Sequence, residues 1–183
     1  MSDEKFNKMQ LLKRRMFAMR NGVIADTLRQ AGCPRRIVFG LNLPQLTEIA
    51  AEFGPDSHLA RQLLADKNVR ESHLLAPMLF AREDVSEAEA LRLAHNIAWP
   101  EEADILCNKL LRWLPFAENI AETLCDEPDR LNRYTGLRLW LAMTCVNQAA
   151  ELRSQAVAAA RKEIAREDAI AQLANQIIAD NDY

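Results

Sequence analysis

At 183 residues, 49% hydrophobic and 27% charged, the chain has the size and composition of one ordinary globular domain spanning residues 1–183, which excludes disordered, fibrous and collagen-like classes. No apolar run approaches the roughly 18 residues that a membrane span needs, and the Met1-Ser-Asp-Glu-Lys5 start is too acidic and its flank too charged for a signal peptide, so no membrane partner and a cytoplasmic location are expected. The net charge of −3 is unlike that of a dedicated nucleic-acid binder.

That charge is uneven. Residues 1–45 hold nine Lys/Arg, among them Arg35 and Arg36, against three acids, and the remainder holds 14 against 23. A local basic surface for phosphate and the solvated faces of amphipathic helices both fit this pattern.

In chain order, Phe6 to Met19 carries Met9, Leu12, Met16 and Met19 on one stripe, and a second helix runs from Val23 to Ala31 before Gly32-Cys-Pro34 breaks it. Arg36 to Pro44 is the one β-like stretch. A lone strand has nothing to pair with, so it is expected to be an extended loop feeding a helix from Pro44 to Phe53. Gly54-Pro55-Asp56-Ser57 supplies a stop and then a cap for a short helix over 58–65. Asn68 is expected to cap the next helix, Ser86 with Glu89 to form a capping box, and Pro100, Pro115 and Pro128 to mark first helical turns. Helices follow near 69–80, kinked at Pro77, and near 86–97, 100–114, 115–125 and 129–147. The Ala-rich tail, 148–179, carries a thin apolar stripe of Val157, Ile164, Leu173 and Ile177 for one or two further helices.

Several chemistries lack their residues. Five glycines, four of them before residue 55, leave no phosphate-cradling loop in the later two-thirds. His58, His73 and His95 show no ligand spacing, and His73 lies in phase with Val69, Ala76 and Phe80 as a core-edge residue, so no metal and no cofactor are expected. Cys33, Cys107, Cys125 and Cys145 form no CxxC pair, and Cys107 and Cys145 lie in apolar helical segments where reduced thiols are commonly buried. No serine sits in a nucleophile elbow.

Three segments do repeat. Asn68 to Phe80, Glu102 to Leu114 and Leu131 to Met143 place Arg70, Asp104 and Arg133 at one helical position, about 34 and then about 29 residues apart, within the scatter of helical repeats. Stacked repeats line one face with equivalent helices, so the three charges are expected on one surface.

Phe39-Gly-Leu-Asn-Leu-Pro44, Asn68-Val-Arg-Glu71, Trp99 through Asp104, and Leu131-Asn-Arg133 together resemble the DNA alkylation repair family of HEAT-like helical-repeat proteins, over roughly residues 10–147. The resemblance implies an all-α fold, an α-solenoid whose concave face grips duplex DNA, and a glycosylase that excises purines carrying an alkyl group at N3 or N7, lesions whose positive charge weakens the glycosidic bond. It further implies that Asp104 is the catalytic carboxylate, stabilising positive charge on the sugar. Arg133 then contacts the DNA backbone, Trp99 offers a π face to a cationic base, and Arg35 and Arg36 add basic contacts. Arg70 matches by repeat position and could equally pair with Glu71 or Asp104. The plain structural alternatives are a surface aspartate near a helix start and an arginine covering an apolar face.

The chain also departs from the family pattern. Pro100 stands four residues before Asp104, where the family has an aromatic, and after Trp140 no aromatic follows until Tyr183. A second reading is therefore a non-catalytic helical-repeat scaffold that takes a protein or peptide partner in its groove.

Overall fold

The structure, a computed structural model, describes residues 7–181; Phe6, the expected first residue of the opening helix, and Tyr183 lie outside them. Among the described residues there are eleven α-helices and two short 3₁₀ turns, and none of the helices is long and apolar enough to cross a membrane. They divide into two compact units, residues 1–84 and 85–183.

Unit 1 holds α1 (Lys8–Ala18), α2 (Gly22–Gln30), α3 (Leu43–Phe53), α4 (Ser57–Ala65) and α5 (Arg70–Leu79). The starts are set locally by polar caps that satisfy otherwise orphaned amides. Asn21 accepts from the Ile24 amide, and Asp56, two residues after Gly54 ends α3 at φ +68°, accepts from that of Leu59. Asn42 and Gln45 form a reciprocal capping box at 3.0 Å on each side, a signal overlooked beside Pro44. The expected Asn68 cap is displaced by one residue: Val69 stands at the N-cap of α5 without a side-chain hydrogen bond. Helix α5 continues through Pro77 and ends two residues later.

The β-like stretch finds a partner after all. Ile37 bridges Val69 in parallel, its amide donating to Asn68 O at 2.9 Å and its carbonyl accepting from Arg70 N at 3.0 Å. Beyond it, the Glu71 carboxylate, fully buried, accepts from the amides of Phe39 (3.0 Å), Gly40 (2.9 Å) and Leu41 (3.4 Å). Gly40 has φ +78°, and a Cβ there would lie 2.2 Å from Asn21 O, so only glycine lets this loop lie against the start of α2.

Unit 2 holds α6 (Glu87–His95), α7 (Pro100–Lys109), α8 (Ala117–Asp126), α9 (Arg130–Thr144), α10 (Ala150–Ile164) and α11 (Ala171–Asn181). Ser86 caps α6 through the Glu89 amide, and Asp129 caps α9 through Leu131 and Asn132. The helix expected over 100–114 stops at Lys109; Leu110, at φ −126° and ψ −66°, breaks it, and a 3₁₀ turn over Leu111–Trp113 follows. The helix expected from Pro115 begins at Ala117. In the tail, Val157, Leu173 and Ile177 are buried as the stripe implies, while Ile164 is exposed. Cys107 and Cys125 are buried and their thiols are pushed up by desolvation, Cys125 to about 12. Cys145, expected to be buried, is exposed at the end of α9.

Helices α8 and α9 meet at Gly136, where an added Cβ would lie 2.7 Å from Cys125 Sγ and 2.9 Å from both Ala121 O and Cys125 N. Mid-helix glycine costs intrinsic helicity, and here it permits close backbone approach. Gly136→Ala is expected to destabilise unit 2 by about 1–3 kcal/mol despite alanine's better propensity. Urea denaturation followed by tryptophan fluorescence reads this selectively, because Trp99, Trp113 and Trp140 all lie after residue 85. An unchanged or higher midpoint would contradict the tight contact.

Candidate functional site

Asp104 lies one turn into α7, after Pro100 has opened the helix with Trp99 at its N-cap. Its Oδ1 accepts from the Tyr134 hydroxyl at 2.9 Å and lies 2.6 Å from Arg138 Nε. Tyr134 and Arg138 are four residues apart on α9 and so share a helix face. Burial, reinforced by the Asp104 charge, raises the Tyr134 pKa above the ordinary phenol value, which keeps the hydroxyl a donor. The Asp104 side chain is 37% exposed and that of Arg138 21%. The carboxylate is thus held by one hydrogen bond, from Tyr134, and one ion pair, with Arg138, while remaining open to solvent.

From Asp104 a polar row continues through Asn108 on α7 to the 3₁₀ turn that follows it. Asn108 Nδ2 donates to Asp104 O at 2.8 Å, and Arg112 Nη1 donates to Asn108 Oδ1 at 3.3 Å. The Arg112 guanidinium lies 4.6 Å from the centroid of the Trp113 ring, and Trp113 is 41% exposed. One carboxylate, a phenol, an amide, two guanidiniums and an exposed indole therefore belong to one connected set in unit 2. Such a set can hold a phosphate, stack a base and present negative charge to a cationic centre. Among the described residues, no three His, Cys, Asp or Glu side chains come together as a metal would need.

Arg133, expected on a DNA-facing surface beside Asp104, is 1% exposed and is not among Asp104's partners. Its Nε donates to Glu163 Oε2 at 3.0 Å, Nη1 to Pro128 O at 2.6 Å and Nη2 to Asp168 Oδ2 at 2.6 Å. Arg70 is 4% exposed and donates to Glu71 Oε1 at 2.8 Å and Leu41 O at 3.2 Å, so of its two foreseen partners the structure pairs it with Glu71. The expectation of three charges on one open surface fails because two of the three are drawn inside their own units by buried acceptors. Their shared phase has another meaning. Arg70 reaches back 29 residues to Leu41, Asp104 reaches forward 30 to Tyr134, and Arg133 reaches forward 30 to Glu163. One repeat position is used three times to tie a helix to a neighbouring repeat.

Arg35 is also inside: Nη1 donates to Lys67 O at 2.8 Å and Nη2 lies 3.3 Å from His73 Nδ1, which makes His73 a core-edge residue as its phase suggests. Arg36 is exposed, and Trp99 is half-buried. Much of the basic excess near the N-terminus is matched within unit 1. Lys8 pairs with Asp56 at 2.7 Å, Lys13 with Asp66 at 3.7 Å, and Arg15 with Glu48 and Glu52 at 2.6 and 2.8 Å. Over residues 1–84 the count is thirteen Lys/Arg against ten Asp/Glu.

The residues that accompany Asp104, namely Tyr134, Arg138, Asn108, Arg112 and Trp113, were not singled out from the sequence. A signal existed for one of them. The 34-residue step that leads from Arg70 to Asp104, taken once more, lands on Arg138.

The sequence pattern of the DNA alkylation repair enzyme family matches residues 12–182. No curated protein sequence is significantly similar to the chain. Among solved structures, the fold is similar to one described as representing a new family of proteins related to the HEAT-like repeat DNA glycosylases with affinity for branched DNA structures. That likeness has a TM-score of 0.80 at 14% identity and covers 93% of this chain and 74% of the other. The architecture is thus an all-α HEAT-like repeat fold.

Proposed function

The chain belongs to the DNA alkylation repair enzyme family, and from that premise we propose that it binds duplex DNA along the row from Asp104 to Trp113 and excises cationic N3- or N7-alkylated purines. The observation that carries this reading is the partly exposed Asp104 carboxylate, oriented by Tyr134 and Arg138. A cationic alkylpurine is already a good leaving group, so the protein need supply only a carboxylate close to the sugar as positive charge develops there. Arg138 and Arg112 are the candidates for backbone phosphates. Trp113, and Trp99 at the start of α7, are the candidates for contact with the base. Arg36 remains a separate candidate for a phosphate, while Arg133 supports the fold of unit 2, and Arg70 and Arg35 that of unit 1.

A second reading is DNA binding without excision. One observation favours it: Asp104 Oδ1 serves both Tyr134 and Arg138, which offsets the charge available to a sugar cation.

Binding is tested by titration of labelled duplex DNA across salt concentrations. Affinity is expected to fall steeply with salt as counterions are released, and Arg112→Gln and Arg138→Gln are each expected to reduce the salt slope by about 1. Binding that is absent at low salt, or indifferent to salt, would sink both DNA readings and leave the protein or peptide scaffold.

A further inference from the structure

We propose that unit 1 carries a separate site for an unpaired nucleotide, with the base against Phe17 and Phe39 and the phosphate on Arg20 and Arg29. The inference goes beyond the reading given to Asp104 and stands or falls independently of excision.

The site follows from a short turn. Helix α1 ends at Ala18 and α2 begins at Gly22, so Phe17 and Arg20 lie close in sequence to the first turn of α2. The Gly40 loop is fastened beside them, with Asn21 N donating to Phe39 O at 2.8 Å. Phe17 is 54% exposed and meets Phe39 edge-on, centroids 6.3 Å apart at 88°. The Arg20 guanidinium lies 3.9 Å from the Phe17 centroid, and its Nη1 donates to Phe17 O at 3.0 Å, which fixes the cation on the ring. Next to this pair is an opening of about 470 Å³ lined by Ala18, Arg20, Gly22, Arg29, Val38 and Phe39, a volume typical of small-ligand sites. Apart from its chain neighbours and the backbone of α2 itself, no atom lies within 4 Å of where a Gly22 side chain would begin, so that wall has room.

The electrostatics choose the ligand. Arg29 donates to Asp26 at 2.8 Å and to Val38 O at 3.2 Å, but both partners of the ion pair are exposed, and such pairs are weak in water. An incoming anion can compete for Arg29. Aromatic faces interleaved with guanidiniums match the base and phosphate of a single-stranded nucleotide, where stacking supplies affinity without sequence preference. The bases inside an intact duplex are already stacked. An overhang, flap or strand end offers a free one, and so does a mononucleotide in solution.

The experiment uses the full chain, fluorescence anisotropy and two labelled duplexes identical except for a short single-stranded overhang. The overhang is expected to bind about tenfold more tightly than the blunt end, within the range that one stacked base supplies. Phe17→Ala and Arg20→Gln are each expected to erase that difference while leaving blunt-end affinity unchanged, and Phe17→Trp is expected to preserve it. Competition with free deoxyadenosine monophosphate separates the sources: displacement at low concentration assigns the site to a free nucleotide, and no displacement assigns it to nucleic-acid ends. Equal binding of both duplexes by the wild type, with no competition by the mononucleotide, overturns the proposal. So does an overhang preference that survives both substitutions. If blunt duplex fails to bind at all, the reading of the Asp104 row fails, whereas the overhang and mononucleotide arms still report on this site.

Discussion

Replacing Arg133 with Met is expected to destabilise unit 2 by about 3 kcal/mol, the lower end of what removing one partner of a buried ion pair costs. The guanidinium is 1% exposed, and all three of its nitrogens are engaged, by Glu163, Pro128 O and Asp168. Met preserves much of the side-chain volume and removes the charge, which leaves Glu163 buried at 3% exposure. Glu163 keeps the Ile170 amide at 3.0 Å and Arg166 Nε at 3.3 Å, and those contacts hold the loss to the lower end. Urea denaturation followed by tryptophan fluorescence measures the loss in unit 2. The double variant Arg133→Met with Glu163→Met should recover most of it, since an apolar pair of similar size removes the stranded charge. A single variant as stable as the wild type would mean that Arg133 is not the tie the structure describes.

The same tie has a pH signature. Arg133's hydrogen bond holds the Asp168 carboxyl below the usual carboxylate range. A depressed folded pKa contributes stability that is fully present above the unfolded value of roughly 4 and is lost as pH falls through the folded value. Acid below about pH 4 should therefore weaken wild-type unit 2 more than it weakens Arg133→Met.

Helix positions were legible because the signals that set them are local. Asp56 and Ser86 each satisfy an amide three residues on, and this is visible as spacing in one short window. The break at Leu110 had no such signal: no glycine or proline marks it, and it coincides with the complete burial of Leu110 and Leu111. The pairing of Ile37 with Val69 spans thirty-two residues and could not be read from a single extended stretch. Of the two charges read as neighbours in one site, Asp104 is partly exposed and Arg133 is buried away from it. Arg133 and Arg138 sit on different sides of α9, and what separates them is which acids each meets, Glu163 and Asp168 for one and Asp104 for the other. Charge periodicity identified a repeated position, but buried acceptors about thirty residues away decided that two of its three occupants would serve stability.

Asp104 is the residue on which the functional account rests. Asp104→Asn is nearly isosteric, and Arg138, 21% exposed, can turn to solvent when its ion pair is lost, so stability should change by less than about 1 kcal/mol. DNA affinity should be retained, because the phosphate contacts are assigned to Arg112 and Arg138. The rate of base release is where the substitution acts: a neutral amide cannot stabilise positive charge on the sugar, and losing one such preorganised electrostatic group costs on the order of 10² in rate. Release of alkylated purine from methylated duplex DNA, compared between wild type and Asp104→Asn at matched DNA occupancy, is the direct measurement. The account predicts release by the wild type and a loss of about 10² or more in the variant. Equal release by both would remove Asp104 from the chemistry, and no release by the wild type while DNA still binds would contradict excision and leave a DNA-binding repeat protein.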